Sequence, residues 1–149
     1  HPTVLVMATP MTIQGDKYRN LMTQYEQKAD IIGLPCPGLV EFVETGNTEG
    51  EDLKVFLENL LAPYLREIDS IVLGCTHYPF VRRLIQEIAG ERVRIFDGGN
   101  GTAREMRRRL GEAGLLSAHT GSGSVKFENS LATEEEIELS RTLFQKNLL

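Results

Sequence analysis

Short apolar runs alternate with longer amphipathic stretches along most of this chain. The runs are rich in Val, Ile and Leu, as is typical of parallel strands buried on both faces of a sheet. They cover residues 3–8, 30–34, 70–73 and 93–96. The stretches between them carry apolar residues at three- and four-residue spacing, which is typical of helices. These helical stretches cover residues 17–29, 51–66 and 80–89. The alternation predicts an α/β fold, a mainly parallel sheet with right-handed crossovers and helices on both faces.

The pattern changes after Asp97. Gly, Ser and Asn become frequent, and we expect more turn and loop structure than in the preceding part. In order, we predict a turn cluster, a helix, a surface loop, a short strand and a last helix, at 98–101, 102–110, 111–123, 125–127 and 133–146. The last helix is predicted because Thr133 and Glu136 have the spacing of a capping box.

Size, charge and cysteine usage narrow the class of protein. A length of 149 residues is in the range of one domain, and the net charge of -5 argues against a nucleic-acid partner. Four arginines at 104 and 107–109 are interpreted as a solvated helix face. No apolar run approaches the roughly 20 residues that span a bilayer, so no membrane partner is expected. Two cysteines make no disulfide framework, and with no signal peptide recognised we expect a cytoplasmic protein.

The most informative motif follows the third apolar run. Residues 71–79 read Ile-Val-Leu-Gly-Cys-Thr-His-Tyr-Pro, so a thiol lies where a buried strand should end. Parallel sheets bind ligands beyond the carboxyl ends of their strands. A following helix N-terminus would favour the thiolate of Cys75, and His77 could move a proton to or from it. The alternative is a structural cysteine beside a hydrogen-bonded histidine.

Three other strand ends carry polar or thiol groups. Thr9 and Thr12 offer hydroxyl donors that suit a carboxylate ligand, although a helix N-cap is an equally good interpretation. Cys36, between two prolines, is interpreted as a buried, inert thiol. Asp97, followed by two glycines, is interpreted as a strand-ending turn residue.

Four motifs resemble those of glutamate racemases, in the same order. They are Ala-Thr-x-x-Thr at 8–12, Cys-Pro…Val-Glu at 36–44, Leu-Gly-Cys-Thr-His-Tyr-Pro at 73–79 and Asp-Gly-Gly at 97–99, and the resemblance extends over about 4–144. It implies inversion of glutamate by two thiols without a cofactor or a metal, for cell-wall precursor supply. It also implies catalytic roles for Cys75, His77 and Glu44, with Glu44 orienting the imidazole. His77 favours glutamate, because aspartate-specific relatives usually carry Glu there. The residues implied to bind substrate are Thr9, Thr12 and Thr76.

The resemblance covers only part of a racemase. The family has two similar α/β domains, and the Asp-Ser-Gly and Ala-Cys-Asn-Thr strings of its first domain do not occur here. We therefore expect 3–95 to form the second domain and 96–149 to be a segment that completes the first. The chain alone should be inactive, and it should self-associate or pair with a missing N-terminal half. Two other hypotheses are a catalytically silent binding or regulatory module, and a thiol enzyme with Cys75 as nucleophile and His77 as base.

Overall fold

A parallel sheet forms the first of two compact units. The computed structural model describes residues 1–131 and 133–146, and the chain divides into two units after Asp97. The sheet has the order β2-β1-β3-β4, with all neighbours parallel. Its strands are β1 (Thr3–Ala8), β2 (Asp30–Pro35), β3 (Ser70–Leu73) and β4 (Arg94–Asp97). Each strand lies within one residue of its predicted bounds, so the predicted α/β class is confirmed.

One face of this sheet forms most of the core. Leu5 pairs with Ile71 and Met7 with Leu73, while Ile71 also pairs with Ile95 on the other side. Partner positions of parallel strands point to the same face, and none of these five side chains is more than 5% exposed. This face therefore fixes the register of three adjacent strands.

Helices follow each of the first three strands. They are α1 (Pro10–Gln14), α2 (Asp16–Thr23), α3 (Leu39–Glu44), α4 (Glu51–Leu61) and α5 (Arg82–Ala89), with a 3₁₀ turn (Tyr78–Val81) before α5. Right-handed crossovers place α2 over one face and α4 and α5 over the other. The α2 face is marked by Gly33, since a Cβ there would come within 2.7 Å of the Tyr18 hydroxyl oxygen. The opposite face receives α4, which buries a leucine at every fourth position through Leu53, Leu57 and Leu61.

Two predicted helices end earlier than expected. The helix predicted over 17–29 ends at Thr23, and the chain continues in turns. Because α2 has no buried residue, little tertiary packing is available to stabilise further helical turns. The helix predicted over 51–66 ends at Leu61, two residues before Pro63, which cannot donate a backbone hydrogen bond.

The second unit begins at Gly98 and has two helices in its described residues. These helices are α6 (Gly99–Glu112) and α7 (Glu134–Lys146), and neither has a buried residue. The capping prediction is confirmed, because the Glu136 N–H donates to Thr133 Oγ1 at 3.3 Å. The predicted turn at 98–101 is wrong beyond its first residue, since α6 already begins at Gly99.

The strand predicted at 125–127 is also wrong. The described strands all belong to the first unit, and these three residues have no strand to pair with. Phe127 instead packs edge-on against Phe144 of α7, with ring centroids 5.5 Å apart. Across residues 1–131 and 133–146, no helix is long and apolar enough to cross a membrane.

Candidate functional site

The carboxyl ends of the strands bring the predicted chemistry to one edge of the sheet. Gly74 makes the last ladder contact of β3, with its N–H donating to the Met7 carbonyl at 2.8 Å. A Cβ at position 74 would lie 3.1 Å from that carbonyl oxygen and 3.3 Å from the Ala8 Cβ. The close approach of β1 therefore favours glycine here, and Cys75 lies directly beyond the edge of the sheet.

Cys75, His77 and Glu44 form a contiguous array at this edge. The imidazole Nε2 of His77 lies 2.5 Å from Glu44 Oε1, and its Nδ1 lies 3.8 Å from Cys75 Sγ. A carboxylate can only accept a hydrogen bond, so Nε2 carries the proton and donates a hydrogen bond to Glu44. In the neutral imidazole Nδ1 is then an acceptor, and the Cys75 thiol can donate to it. The array has the order of a thiol, a base and a group that orients the base.

The array is accessible from solvent. Cys75 is half-buried, and the side chains of His77 and Glu44 are 30% and 52% exposed. Thr76 is exposed, and its Oγ1 lies 3.4 Å from the same Nδ1 atom. The hydroxyl of Thr76 and the thiol of Cys75 therefore compete for one acceptor, and a ligand that binds the hydroxyl would leave Nδ1 to the thiol.

Helix α3 positions Glu44. The helix follows Gly38, whose φ of 88° lies in the left-handed region that glycine adopts without strain. Leu39 and Val43 are fully buried and hold the helix against the core. Glu44 is the last residue of α3, where the partial negative charge of the helix end disfavours a carboxylate. A hydrogen-bond donor such as His77 offsets that cost.

The segment that follows Cys75 differs from the sequence-based expectation. Cys75 was expected just before a helix N-terminus that would favour the thiolate. The next α-helix begins only at Arg82, and residues 78–81 form a single 3₁₀ turn. A helix dipole acts mainly within the first turn, so the direct contact to the Cys75 thiol comes from His77 and not from a helix end.

Thr9 and Thr12 lie beyond β1 and contact each other. Thr9 is the N-cap of α1, and its Oγ1 accepts from the Thr12 N–H at 3.3 Å. The two hydroxyl oxygens are 2.9 Å apart, so one donates to the other. This geometry supports the N-cap interpretation of Thr9 and leaves one hydroxyl proton of the pair for a further acceptor.

Cys36 is buried, as its position between two prolines indicated. Its side chain is 1% exposed, and its thiol donates to the Leu34 carbonyl at 3.3 Å. Burial raises the pKa of the Cys36 thiol to about 12. The thiolate of Cys36 is therefore essentially absent at neutral pH.

Asp97 is occupied by a structural contact. Arg82 donates to its carboxylate at 2.7 Å through one guanidinium nitrogen and to the Ile95 carbonyl at 2.7 Å through another. Since the same arginine holds both residues, it fixes the end of β4 to α5. The described residues contain no group of three His, Cys, Asp or Glu side chains arranged to hold a metal ion.

Sequence reasoning missed one side chain near the array. Tyr78 is fully buried, and its hydroxyl donates to the Cys36 carbonyl at 3.4 Å. Burial, with a smaller contribution from the two neighbouring thiols, raises the pKa of Tyr78. Its place directly after His77 in the motif was visible in the sequence, but its partner 42 positions away was not.

Comparison with known proteins gives one consistent result. No family model matches the chain. A glutamate racemase from Clostridium perfringens is 51% identical over 144 residues, which are 96% of this chain and 55% of that protein.

Two crystal structures are also similar to this chain. Glutamate racemase from Francisella tularensis in complex with D-glutamate has a TM-score of 0.70 at 26% identity, over 80% of this chain and 45% of that one. The Escherichia coli glutamate racemase in complex with L-glutamate and an activator has a TM-score of 0.66 at 28% identity. This match covers 73% of this chain and 42% of that one. The chain spans about half the length of the curated relatives it matches.

Proposed function

We infer that this chain is about half of a glutamate racemase and that it supplies one of the two thiols of the intact enzyme. The observation that carries this proposal is the Cys75–His77–Glu44 array at the carboxyl edge of the sheet. The similar proteins are glutamate racemases, and two of their structures hold D-glutamate or L-glutamate. The proposed substrate is therefore glutamate, and the proposed reaction is inversion at Cα without a cofactor.

The array can generate a thiolate and then use it as a base. The Cys75 S–H bond breaks, and its proton passes to Nδ1 of His77 while Nε2 remains hydrogen-bonded to Glu44. The thiolate then takes the Cα proton of glutamate, so the C–H bond breaks, an S–H bond forms and the electron pair stays on Cα. Proton transfer of this kind contributes roughly 10²–10⁴-fold, so hydrogen bonds to the substrate carboxylate must supply more.

Inversion requires a second thiol on the opposite face of Cα. A single base would return most protons to the face from which it took them, whereas two opposed groups invert the centre without moving the substrate. Cys36 cannot serve as that second group, because it is buried and its pKa is raised to about 12. The second thiol therefore belongs to the part of the racemase that this chain does not span.

Three threonines are proposed to bind the substrate. Thr9 and Thr12 lie beyond β1, which is the immediate neighbour of β3, the strand that leads to Cys75. Thr76 is exposed and adjoins His77. Hydroxyl donors at these positions suit the anionic oxygens of glutamate.

The second unit is proposed to pack against the missing half or against a second copy of the chain. Its helices α6 and α7 bury no residue. Several large apolar side chains of this unit are at least 39% exposed, among them Met106, Leu115, Leu116, Leu131 and Phe144. The proposed role of the whole protein is cytoplasmic supply of D-glutamate for the cell wall. The two free cysteines suit that reducing compartment.

The test uses the polypeptide encoded by the whole reading frame that contains this chain, with circular dichroism of L- and D-glutamate as the assay. Racemisation in both directions is expected, and Cys75→Ser should lower kcat by roughly 10²–10⁴-fold. Glu44→Gln should lower the rate, whereas Glu41→Gln, an exposed carboxylate on the same helix, should not.

The 149-residue chain by itself provides the opposite test. It should not racemise glutamate, because it offers one accessible thiol. Turnover by this chain at an ordinary enzymic rate of ~1 s⁻¹ would contradict the two-thiol mechanism. A whole protein without racemase activity, or a Cys75→Ser variant at the normal rate, would contradict the assignment of function.

A further inference from the structure

Tyr78 connects the two chain segments that carry the array. On one side, its own N–H donates to the Cys75 carbonyl at 3.3 Å, which closes the turn that contains His77. On the other side, its hydroxyl donates to the Cys36 carbonyl. Cys36 precedes the short connection to α3, the helix that ends in Glu44. One side chain therefore holds the thiol and imidazole segment to the carboxylate segment.

The connection extends to the central strand. The Cys36 N–H donates to the Ala8 carbonyl at 2.9 Å, at the end of β1. The residue that accepts from the Tyr78 hydroxyl is thus itself hydrogen-bonded to the end of β1, and its carbonyl also accepts from the Leu39 N–H at 3.4 Å. A positioning contact needs a fixed partner, and here the partner residue is hydrogen-bonded to a strand that pairs on both sides.

The hydroxyl has a role separable from packing. Tyr78 is 0% exposed, and a phenylalanine would fill the same space without the cost of burying a hydroxyl. The contacts it would position are sensitive to small shifts. The Cys75–His77 distance of 3.8 Å is already long, so a movement of a few tenths of an ångström between the segments would weaken it.

We propose that Tyr78 is a positioning residue, whose hydroxyl holds the Cys75 and His77 segment in register with Glu44 by its hydrogen bond to the Cys36 carbonyl. This inference rests on the proposed function of the array. Tyr78 does not contact the substrate in this scheme. It acts by keeping the imidazole between its two partners, so that the Cys75 proton has an acceptor.

Alkylation of Cys75 in the 149-residue chain tests the proposal without the missing half. Iodoacetamide labelling at pH 7 is followed by peptide mass spectrometry in the parent chain, Tyr78→Phe, Glu44→Gln and the double variant. Each single change should slow labelling of Cys75 by about 2- to 10-fold, the range expected for loss of one hydrogen bond. The double variant should be no slower than the slower single variant, because both changes remove the same alignment.

Controls separate positioning from general loosening. Tyr25→Phe removes a phenolic hydroxyl from a ring that is 46% exposed, and it should leave labelling of Cys75 unchanged. Labelling of buried Cys36 measures loosening directly, and it should stay slow in Tyr78→Phe. Faster labelling of both cysteines would show that the variant merely opens the fold, and that result would overturn the proposal.

The remaining outcomes are also decisive. If Glu44→Gln slows Cys75 but Tyr78→Phe does not, or if the two effects multiply in the double variant, the array stands and the role of Tyr78 is refuted. If Glu44→Gln has no effect, the proposed array itself fails and there is nothing for Tyr78 to position.

If the Tyr78→Phe variant does not fold, proton NMR of the parent chain tests the hydrogen bond of the Tyr78 hydroxyl instead. A Tyr78 hydroxyl proton protected from exchange and close to Cys36 is expected, and a rapidly exchanging one would refute the positioning contact.

Discussion

Gly74→Ala should destabilise the first unit, because the added methyl group has no room. Its Cβ would lie 3.1 Å from the Met7 carbonyl oxygen and 3.3 Å from the Ala8 Cβ, where ordinary contacts are 3.4–4 Å. Neither neighbour can yield easily. The Met7 carbonyl is part of the ladder with Gly74 itself, and β1 is hydrogen-bonded on both sides, to β2 and to β3.

The expected size follows from two opposing terms. Overpacking of this kind costs about 1–3 kcal/mol, and replacement of a glycine by alanine returns about 0.5–1 kcal/mol of backbone entropy. At the middle of these ranges the net loss is about 1 kcal/mol, with an upper limit of about 2.5 kcal/mol. At a urea m-value of about 2 kcal/mol/M, a loss of about 1 kcal/mol lowers the urea midpoint by about 0.5 M. Protection of buried Cys36 from a thiol reagent across a urea series is a suitable assay, since it reports on the first unit alone.

Gly101→Ala is the matched control. Position 101 lies inside α6, and a Cβ there would meet nothing within 4 Å. Alanine should raise helix stability by about 0.5–1 kcal/mol and leave the Cys36 profile unchanged. A Gly74→Ala chain with an unchanged or higher midpoint would show that the sheet edge can relax, and the steric account of Gly74 would then be refuted.

Two further predictions concern the thiols and the second unit. At pH 8 Cys75 should be alkylated at least about tenfold faster than Cys36, because burial raises the pKa of Cys36 to about 12. Equal alkylation rates would contradict the contrast between the two sites. The 149-residue chain should self-associate at micromolar concentration in light-scattering measurements, because Met106, Leu115 and Phe144 are at least 39% exposed. A stable monomer at all concentrations would refute the proposal that these side chains form an interface.

The strands were predictable because short runs of Val, Ile and Leu give a local signal. Runs such as Thr3–Ala8 contain β-branched and aliphatic residues at every position, and no helix pattern competes with them. Helix ends were less predictable. The end of α4 depends on Pro63, which the sequence shows, but α2 ends at Thr23 because it buries no residue, and burial is a tertiary property. The absence of a strand at 125–127 likewise reflects the lack of a partner rather than an unfavourable composition.

The site was predictable only in part. Cys75 and His77 are two positions apart, so their contact required no more than a turn. Glu44 lies 33 positions from His77 and is one of several carboxylates on its segment, and only resemblance to known racemases singled it out. The hydrogen bond of Tyr78 joins residues 42 positions apart by a backbone carbonyl, a contact for which side-chain identity carries no signal.

The contrast between Cys36 and Cys75 depends on where each ladder ends. Both cysteines follow strands that pair with β1, and residue type does not distinguish them. On the β2 side the ladder continues through Cys36, whose N–H donates to Ala8, whereas on the β3 side it stops at Gly74, whose N–H donates to Met7. Cys36 therefore still donates a hydrogen bond to β1 and its side chain is buried in the core, whereas Cys75 is the first residue beyond the last such bond of its segment. The last hydrogen bond to β1 is therefore made by Cys36 itself in one segment and by the residue before Cys75 in the other. This difference of one residue leaves the Cys36 thiol buried and the Cys75 thiol in contact with His77 and accessible to solvent.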